Sequence, residues 1–484
     1  MHMKRELSKR RQPLIRTVVY SFMTLSVVVI VALLMLVVLG YSFNQRDGKL
    51  EQGGLLQFAS VPTGAKVTLD EIQLGPETNA KATVSAGSHS VSFDRDNYRS
   101  WKKTIYVESG QIGWLSYARL IPKEVKPVAV RTFPLLTSAL ASPVHKYMVL
   151  HEAANNPAFI MANIQGDTVE YETIELPVAS YTAGKTHTFT PVTWSKDEEA
   201  VLIRHTYDDQ TEWLWMDRNS PERTVNINTA FAIAPSKLQF AGTGSRLLFV
   251  QTDDVVRRIN LDDQTLSRPL ITRVAHFTGY DDKTIVYATT ADDRGLRHVG
   301  YAATDITSPI SLATYPDDGQ PLLADMSNYF SRRYIAIVHG TEMKIIAGSL
   351  PTSSIVKNTL KLFAKETIPA GASDVVMSRN HRFAVAQLPD GYATYDIELK
   401  KYDRTTWAQP VTTVRPLEWL DDYMFWSDNG GMLRFYEFDG ANQQNIMPVT
   451  EGFSAGISPN DKYIYGIYKT DKGFEFQRAR LVLN

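Results

Sequence analysis

The chain has 484 residues, 44% hydrophobic and 11% aromatic, which is enough apolar material for a buried core and enough length for several domains or one large repeat array. It has no cysteine, so a disulfide framework, a thiolate metal site and a cysteine nucleophile are excluded. The net charge of −1 hides an asymmetry: residues 1–16 carry +5 and the remainder −6, so no nucleic-acid partner is expected beyond the tail.

The basic cluster is Lys4, Arg5, Lys9, Arg10, Arg11 and Arg16, set against Glu6 alone. From Thr17 to Tyr41 no residue is charged. As a helix that run reaches about 37 Å at about 1.5 Å per residue, enough to cross a hydrocarbon core of about 30 Å with some tilt. Tyr20 and Tyr41 sit near its ends, where aromatic anchors are favoured. A cleaved signal peptide is the alternative. The run exceeds a usual apolar region of about 7–15 residues, and Gly40-Tyr41-Ser42 makes a poor cleavage site. The reading is a basic cytoplasmic tail, 1–16, and an uncleaved transmembrane helix, 17–41. The positive-inside rule puts the N-terminus inside and the bulk outside the cell membrane. No second apolar run of spanning length follows, so one crossing is expected.

Residues 42–53 are polar, with Gly48 and Gly53, and read as a linker. Residues 54–122 read as consecutive short strands: Leu55–Ala59, Ala65–Leu69, Ser88–Phe93, Trp101–Val107 and Ile112–Leu120. His89 shares a face with Val91 and Phe93 by strict alternation, which makes it a packed residue; a metal-ligand role would need a one-residue slip.

The phrases Ser60-Val61-Pro62-Thr63-Gly64-Ala65-Lys66-Val67, Gly75-Pro76-Glu77-Thr78 and Gly87-Ser88-His89, followed by Tyr98, resemble the PEGA domain. Thr63 stands where that family's name motif has an acid, and Gly75-Pro76-Glu77-Thr78 alters its usual Thr-Pro. Both departures bear on turns. The resemblance implies a small β-sandwich of bacterial and archaeal surface proteins, with no known chemistry.

Beyond residue 123 a polar turn running into an apolar strand recurs eight times, beginning at Ser142, Ser195, Gly242, Tyr280, Ser331, Ser378, Trp419 and Ser458. Units of roughly 40 to 50 residues mark a β-propeller, one per blade. Asp390-Gly391 and Asn429-Gly430-Gly431 read as hairpins from second to third strands. The Ser-Pro-Asn-Asp form resembles TolB-type propeller repeats, and the Gly-His…Trp-Asp pattern of WD40 repeats is missing. The expectation for 123–484 is an all-β propeller of eight blades, or seven if the Gly242 or Trp419 phrase is fortuitous. Residues 474–481 alternate as an outer strand that closes the ring. Ser353–Ile368 reads equally as a helix or as a loop and strand.

No catalytic constellation is present: there is no Gly-x-Ser-x-Gly, no His-Glu-x-x-His, no EF-hand series and no sialidase Asp box. No catalytic, cofactor-binding or metal residue is therefore assigned. His145 and His151 lie about 20 Å apart on one strand at about 3.3 Å per residue, too far to share a metal. The Asp pairs at 208–209, 253–254, 262–263, 281–282, 292–293 and 317–318 read as solvated turn acids, or more sharply as a rim for Ca²⁺ or cationic partners. Trp213, Trp215 and Trp407 read as blade packing or as sugar-stacking platforms. The function expected is a surface-displayed binding or scaffolding module with a protein or cell-wall glycan partner on the propeller's loop face. The alternatives are a propeller enzyme on envelope glycan, which would need two carboxylates about 5–10 Å apart, and a subunit of an envelope-spanning assembly.

Overall fold

The structure, a computed structural model, describes residues 12–38, 41–44, 49–351, 359–411 and 416–483. The chain divides into two compact units, 1–123 and 124–484.

The first unit opens with helix α1, Gln12–Val38. Pro13 falls in its first turn, where a missing N–H costs no hydrogen bond. Residues Arg16–Leu36 have a mean hydropathy of 2.5 and none of that stretch is buried, so the helix is long and apolar enough to cross a membrane. Its Thr24 and Ser26 hydroxyls donate to the carbonyls of Tyr20 and Phe22, at 2.9 and 2.8 Å, which satisfies them within the helix. Relative to the 17–41 expected, the helix starts earlier, because uncharged residues are not required by helical geometry. Tyr41 instead begins a strand, Tyr41–Asn44, which pairs with Lys49–Gln52 inside the segment read as a linker.

Residues 54–119 form seven strands in two sheets. Gly54–Val61 is central in the three-stranded sheet, antiparallel to Ala80–Val84 and parallel to Ile112–Arg119. The other sheet runs Ile72–Glu77, Lys66–Leu69, Gly87–Asp94, Trp101–Val107. The core between them includes Phe58, Phe93 and Trp101, with Phe93 stacked on Trp101 at 4.9 Å and edge-on to Phe58 at 6.0 Å. Thr78 explains the motif spacing: its Oγ1 accepts from Ala65 N–H at 3.0 Å and meets Ser60 Oγ at 2.7 Å, locking the Pro62-Gly64 turn. His89 is buried beside Val91 and Phe93, with Nδ1 2.6 Å from Asp70 Oδ2 and Nε2 2.8 Å from Ser85 O. It is a fully bonded structural histidine.

The second unit is a ring of eight antiparallel sheets. Blades 1 to 6 are four-stranded and occupy 138–175, 187–226, 237–266, 274–316, 322–367 and 374–406. Blade 7, 424–448, keeps three strands, its inner strand reduced to a bridge from Trp419 to Phe425. Blade 8 joins three strands from 456–480 to Pro127–Phe133 as its outermost strand. The fold is an eight-bladed β-propeller, and both weak phrases mark real blades. The closing outer strand is not 474–481, which is third in its blade; an alternating pattern looks the same in third and fourth strands. Lys361–Thr367 is the fourth strand of blade 5, so the undecided stretch ends as a strand, and 352–358 lie outside the described residues. A short helix at Ile227–Phe231 was not anticipated.

The apolar run of each phrase is the second strand of a blade, buried on both faces. In blade 2, Ala200 and Leu202 pack against blade 3 residues such as Leu238 and Leu248. Val201 and Ile203 pack against blade 1 residues such as Val149 and Phe159. A run that must satisfy two neighbours has no polar face, which is why it reads as continuous. Phe133 of the closing strand packs between Met148 and Leu150 of blade 1 and Ile467 and Phe476 of blade 8. Phe133→Ala should cost about 3–5 kcal/mol and lower the urea midpoint of the propeller, whereas Val128→Ala, exposed on the same strand, should stay within about 0.5 kcal/mol.

Candidate functional site

The eight turn phrases all join a first strand to a second, so they gather on one face of the ring. Four share one construction, begun by Ser142, Ser195, Ser378 and Ser458. In each the serine N–H bonds the carbonyl five residues on, and the serine hydroxyl accepts the N–H of that same residue at 2.9–3.0 Å. The residue three after the serine is left-handed: His145, Glu198, His381 and Asp461 have φ of 57–63°. The residue two after it supplies an oxygen. Asn380 and Asn460 accept the serine hydroxyl at 2.6 and 2.7 Å and the N–H of the fourth residue at 3.1 Å, and Asp197 does the same for Ser195. Asp281 and Asp421 cap shorter versions, each taking two backbone N–H groups at 2.6–2.9 Å.

Blade 1 breaks the rule, because Val144 occupies the oxygen-bearing position. The missing carboxylate comes from the next blade. Glu198, buried at the turn of blade 2, accepts the Ser142 hydroxyl at 2.5 Å and the Val144 N–H at 2.9 Å, with Lys146 Nζ 3.5 Å from its other oxygen. His145, in that same turn, places Nε2 3.0 Å from the Leu420 carbonyl of blade 7. Burial, with the charge of Arg379 adding to it, pushes His145 down to about 4, so it is neutral and donates its Nε2–H. Blade 8 lies between blades 1 and 7 in ring order, so this bond joins two blades that are not ring neighbours.

What stays open is a cavity of about 1330 Å³ lined by the turn ends of blades 1 to 6, from Pro143 to His381. Acids lie mainly on the side of blades 2 to 4: Asp197, Glu199, Asp262, Asp281 and Asp282. The sides of blades 5 and 6 bring Arg333, Arg379 and His381. Most of the acids are already engaged. Asp197 and Asp281 hold turns, and Asp262 pairs with Arg246 at 2.8 Å. Asp325 accepts Met326 N–H at 2.8 Å and Met377 N–H at 2.7 Å, and its enclosure in the ring pushes its carboxyl up to about 6. The side chains of Lys196, Arg333 and Arg379 hold no hydrogen bond or ion pair to another described residue, although Arg333 lies over the Tyr280 ring at 5.2 Å.

The residues singled out from the sequence fall elsewhere. Trp213 and Trp215 are buried, with ring N–H groups on Pro235 O and Ser245 O at 3.1 and 2.7 Å. Trp407 packs against Tyr392 and Tyr436 at 5.2 and 5.0 Å. His151 bonds Asn156 O at 2.7 Å, apart from His145. The Asp pairs do occupy turns, but on both faces of the ring: 281–282 on the cavity face, 208–209 and 253–254 on second-to-third-strand hairpins at the other. They form no single rim, and among the described residues no three His, Cys, Asp or Glu converge as metal ligands.

Residues 54–120 match the family model of the PEGA domain. Those residues are a PEGA domain. The match covers the sandwich and its Thr78-locked turn, so the two altered motif positions leave the PEGA domain intact. No curated protein matches the chain. Among solved structures the chain resembles the Dos1 propeller, at 10% identity and a TM-score of 0.43 over 73% of this chain and 94% of that one. It also resembles the Cps50 (Swd1) β-propeller domain of Myceliophteria thermophila, at 8% identity and 0.40 over 75% and 100%. An oligogalacturonate lyase in complex with manganese matches at 11% and 0.39 over 74% and 98%.

Glu198→Ala should destabilise the propeller by about 1–3 kcal/mol, because it strands the Ser142 hydroxyl and Val144 N–H. Adding Val144→Asp, which restores the carboxylate at the position other blades use, should recover at least half of the lost urea midpoint.

Proposed function

We propose that this chain is a membrane-tethered binding protein that displays its PEGA domain and propeller outside the cell and docks a protein partner on the turn-face cavity. The observation that carries the reading is the cavity itself, a large opening built from six turns, with lining cations that no described neighbour pairs. The tether is supported by α1, which is apolar on every side. Its orientation rests on the basic residues that precede it.

A protein partner is favoured over a glycan by the aromatic side chains. Sugar recognition uses open ring faces; in the propeller Trp213 and Trp215 are buried, and Trp407 is half-buried against Tyr392 and Tyr436. Of the cavity's own aromatics, Trp194 is buried and Tyr280 is covered by Arg333. An acid-rich side at blades 2 to 4, together with the cations Lys196, Arg333 and Arg379, suits a polypeptide surface that carries both signs. Enzymatic cleavage is less well supported, since four of the six lining acids already serve turns, Arg246 or blade 6.

The tether and the site are tested separately. Removing residues 1–41 should move the protein from the membrane fraction to the soluble fraction; retention on membranes would sink the anchor. Cross-linking on intact cells, followed by capture of the full chain, should recover a partner whose yield falls at least tenfold in Arg333→Ala/Arg379→Ala. Arg273→Ala, on the other face, should keep it. Equal recovery from both variants would remove the cavity as the docking site.

A further inference from the structure

On the face opposite the cavity, blade 2 carries a hydrogen-bonded chain that the docking reading does not use. His187 begins the inner strand that ends at Trp194, so the two sites lie about 23 Å apart at about 3.3 Å per residue. His187 Nδ1 is 2.9 Å from His205 Nε2, and His205 Nδ1 is 2.8 Å from Glu212 Oε1. Both pairs follow from register, since Phe189 and Glu212 flank His205 on neighbouring strands. Phe189 and Tyr207 stack on His205 at 4.3 and 5.3 Å, and Tyr181 meets it edge-on at 5.4 Å.

Over this chain runs a strap, residues 182–186. Thr182 donates its N–H and its hydroxyl to Glu212, both at 2.7 Å. Lys185 and Thr186 give their N–H groups to Asp208 Oδ1 at 3.0 and 3.1 Å. Between those anchors Gly184 N–H points at His187 Nε2, at 3.3 Å.

The ends of the chain fix every proton in it. Glu212 also accepts Asn226 Nδ2 at 2.8 Å. Burial alone would raise its carboxyl, but the bonds from Thr182, Asn226 and His205 outweigh that and hold it below its ordinary value. It is an acceptor only, so His205 must carry its proton on Nδ1 and offer Nε2 as a lone pair. Burial holds His205 below its ordinary value, so it stays neutral. His187 must then donate from Nδ1 and accept from Gly184 at Nε2. All three bonds are made when both imidazoles are neutral. One added proton has no place that keeps them all. On His187 Nε2 it faces the Gly184 N–H; on His205 Nε2 it forces His187 into the other tautomer, with the same result.

We propose that Glu212, His205 and His187 form a proton-operated latch that holds the strap 182–186 closed when both histidines are neutral and frees Gly184 when a proton is added. The longest bond of the chain, from Gly184 N–H to His187 Nε2, is the one given up. Titratable groups around His187 are His205 and Tyr207 on the second strand, Tyr181 just before the strap and Asp208 in the hairpin, with Glu212 on the third strand one bond further along; Lys185 lies on the strap itself. The loop of the neighbouring sheet, tied on by Phe189 N–H to Ala154 O at 2.7 Å, carries Glu152, and the strand before it ends in His151, which bonds Asn156 O. The latch is closed at neutral pH and above, and opens as pH falls.

The test is amide hydrogen exchange by mass spectrometry on the full-length protein in detergent, at pH 7.5 and 5.5, corrected for intrinsic exchange. Protection across 182–186 should drop about tenfold at pH 5.5, while Ala200–Ile203 stays protected. In His187→Gln the amide oxygen can accept from Gly184 and no imidazole stands beside that N–H, so the strap should stay protected at both values. Unchanged protection in the native chain would overturn the latch, and so would loosening that persists in His187→Gln.

Discussion

The propeller depends on every blade having a neighbour on both sides. A second strand such as Ala200-Val201-Leu202-Ile203 is fully buried only because blade 1 covers one face and blade 3 the other. An open array would leave two such faces in water, each a large apolar surface. Closure is therefore a condition of stability, met by pairing Pro127–Phe133 with Gly473–Arg480. Around the axis the blades are also stitched by polar contacts. Lys237 reaches Phe277 O at 3.0 Å, Thr278 reaches Ala324 O at 3.2 Å, and Asp325 takes Met377 N–H. Gln387 takes Leu417 N–H at 3.0 Å, Ser454 donates to Glu418 at 2.8 Å, and Trp194 donates to Leu140 O at 3.3 Å. Removing one blade would strand groups on both sides of the gap.

The turn phrases were readable because their chemistry is local. A serine, an Asp or Asn two residues later and a left-handed residue third after the serine close a turn by themselves, so Ser458 and its equivalents stand out in the chain. Blade 1 was readable only in outline. Its oxygen arrives from Glu198, more than fifty residues away, and nothing at Val144 announces it. The cavity was hidden for the same reason, since its lining is drawn from six turns that only ring closure brings together.

Ambiguity remained where two environments ask for the same pattern. Gly473–Arg480 alternates whether it is third or fourth in its blade, and only pairing decides. Trp213 and Trp215 look like platforms or like packing until the neighbouring blade is in place. The chain from His187 to Glu212 had a signal that went unread. Asp208 and Asp209 form a tight hairpin, φ 41° and 66°, and counting outward from it sets His205 opposite Glu212.

The outermost strand of blade 8 carries a consequence for biogenesis. Pro127–Phe133 is the first propeller strand to be synthesised, and its partner Gly473–Arg480 is the last. About 340 residues separate them, which at about 5–20 residues per second is a wait of roughly 17–70 seconds. Until then Phe133 has no sheet, and the faces of blades 1 and 8 that meet around it stay uncovered. A nascent chain in that state is a sticky, unsealed crescent, and whatever escorts it must shield one strand while nearly all the rest of the propeller is made.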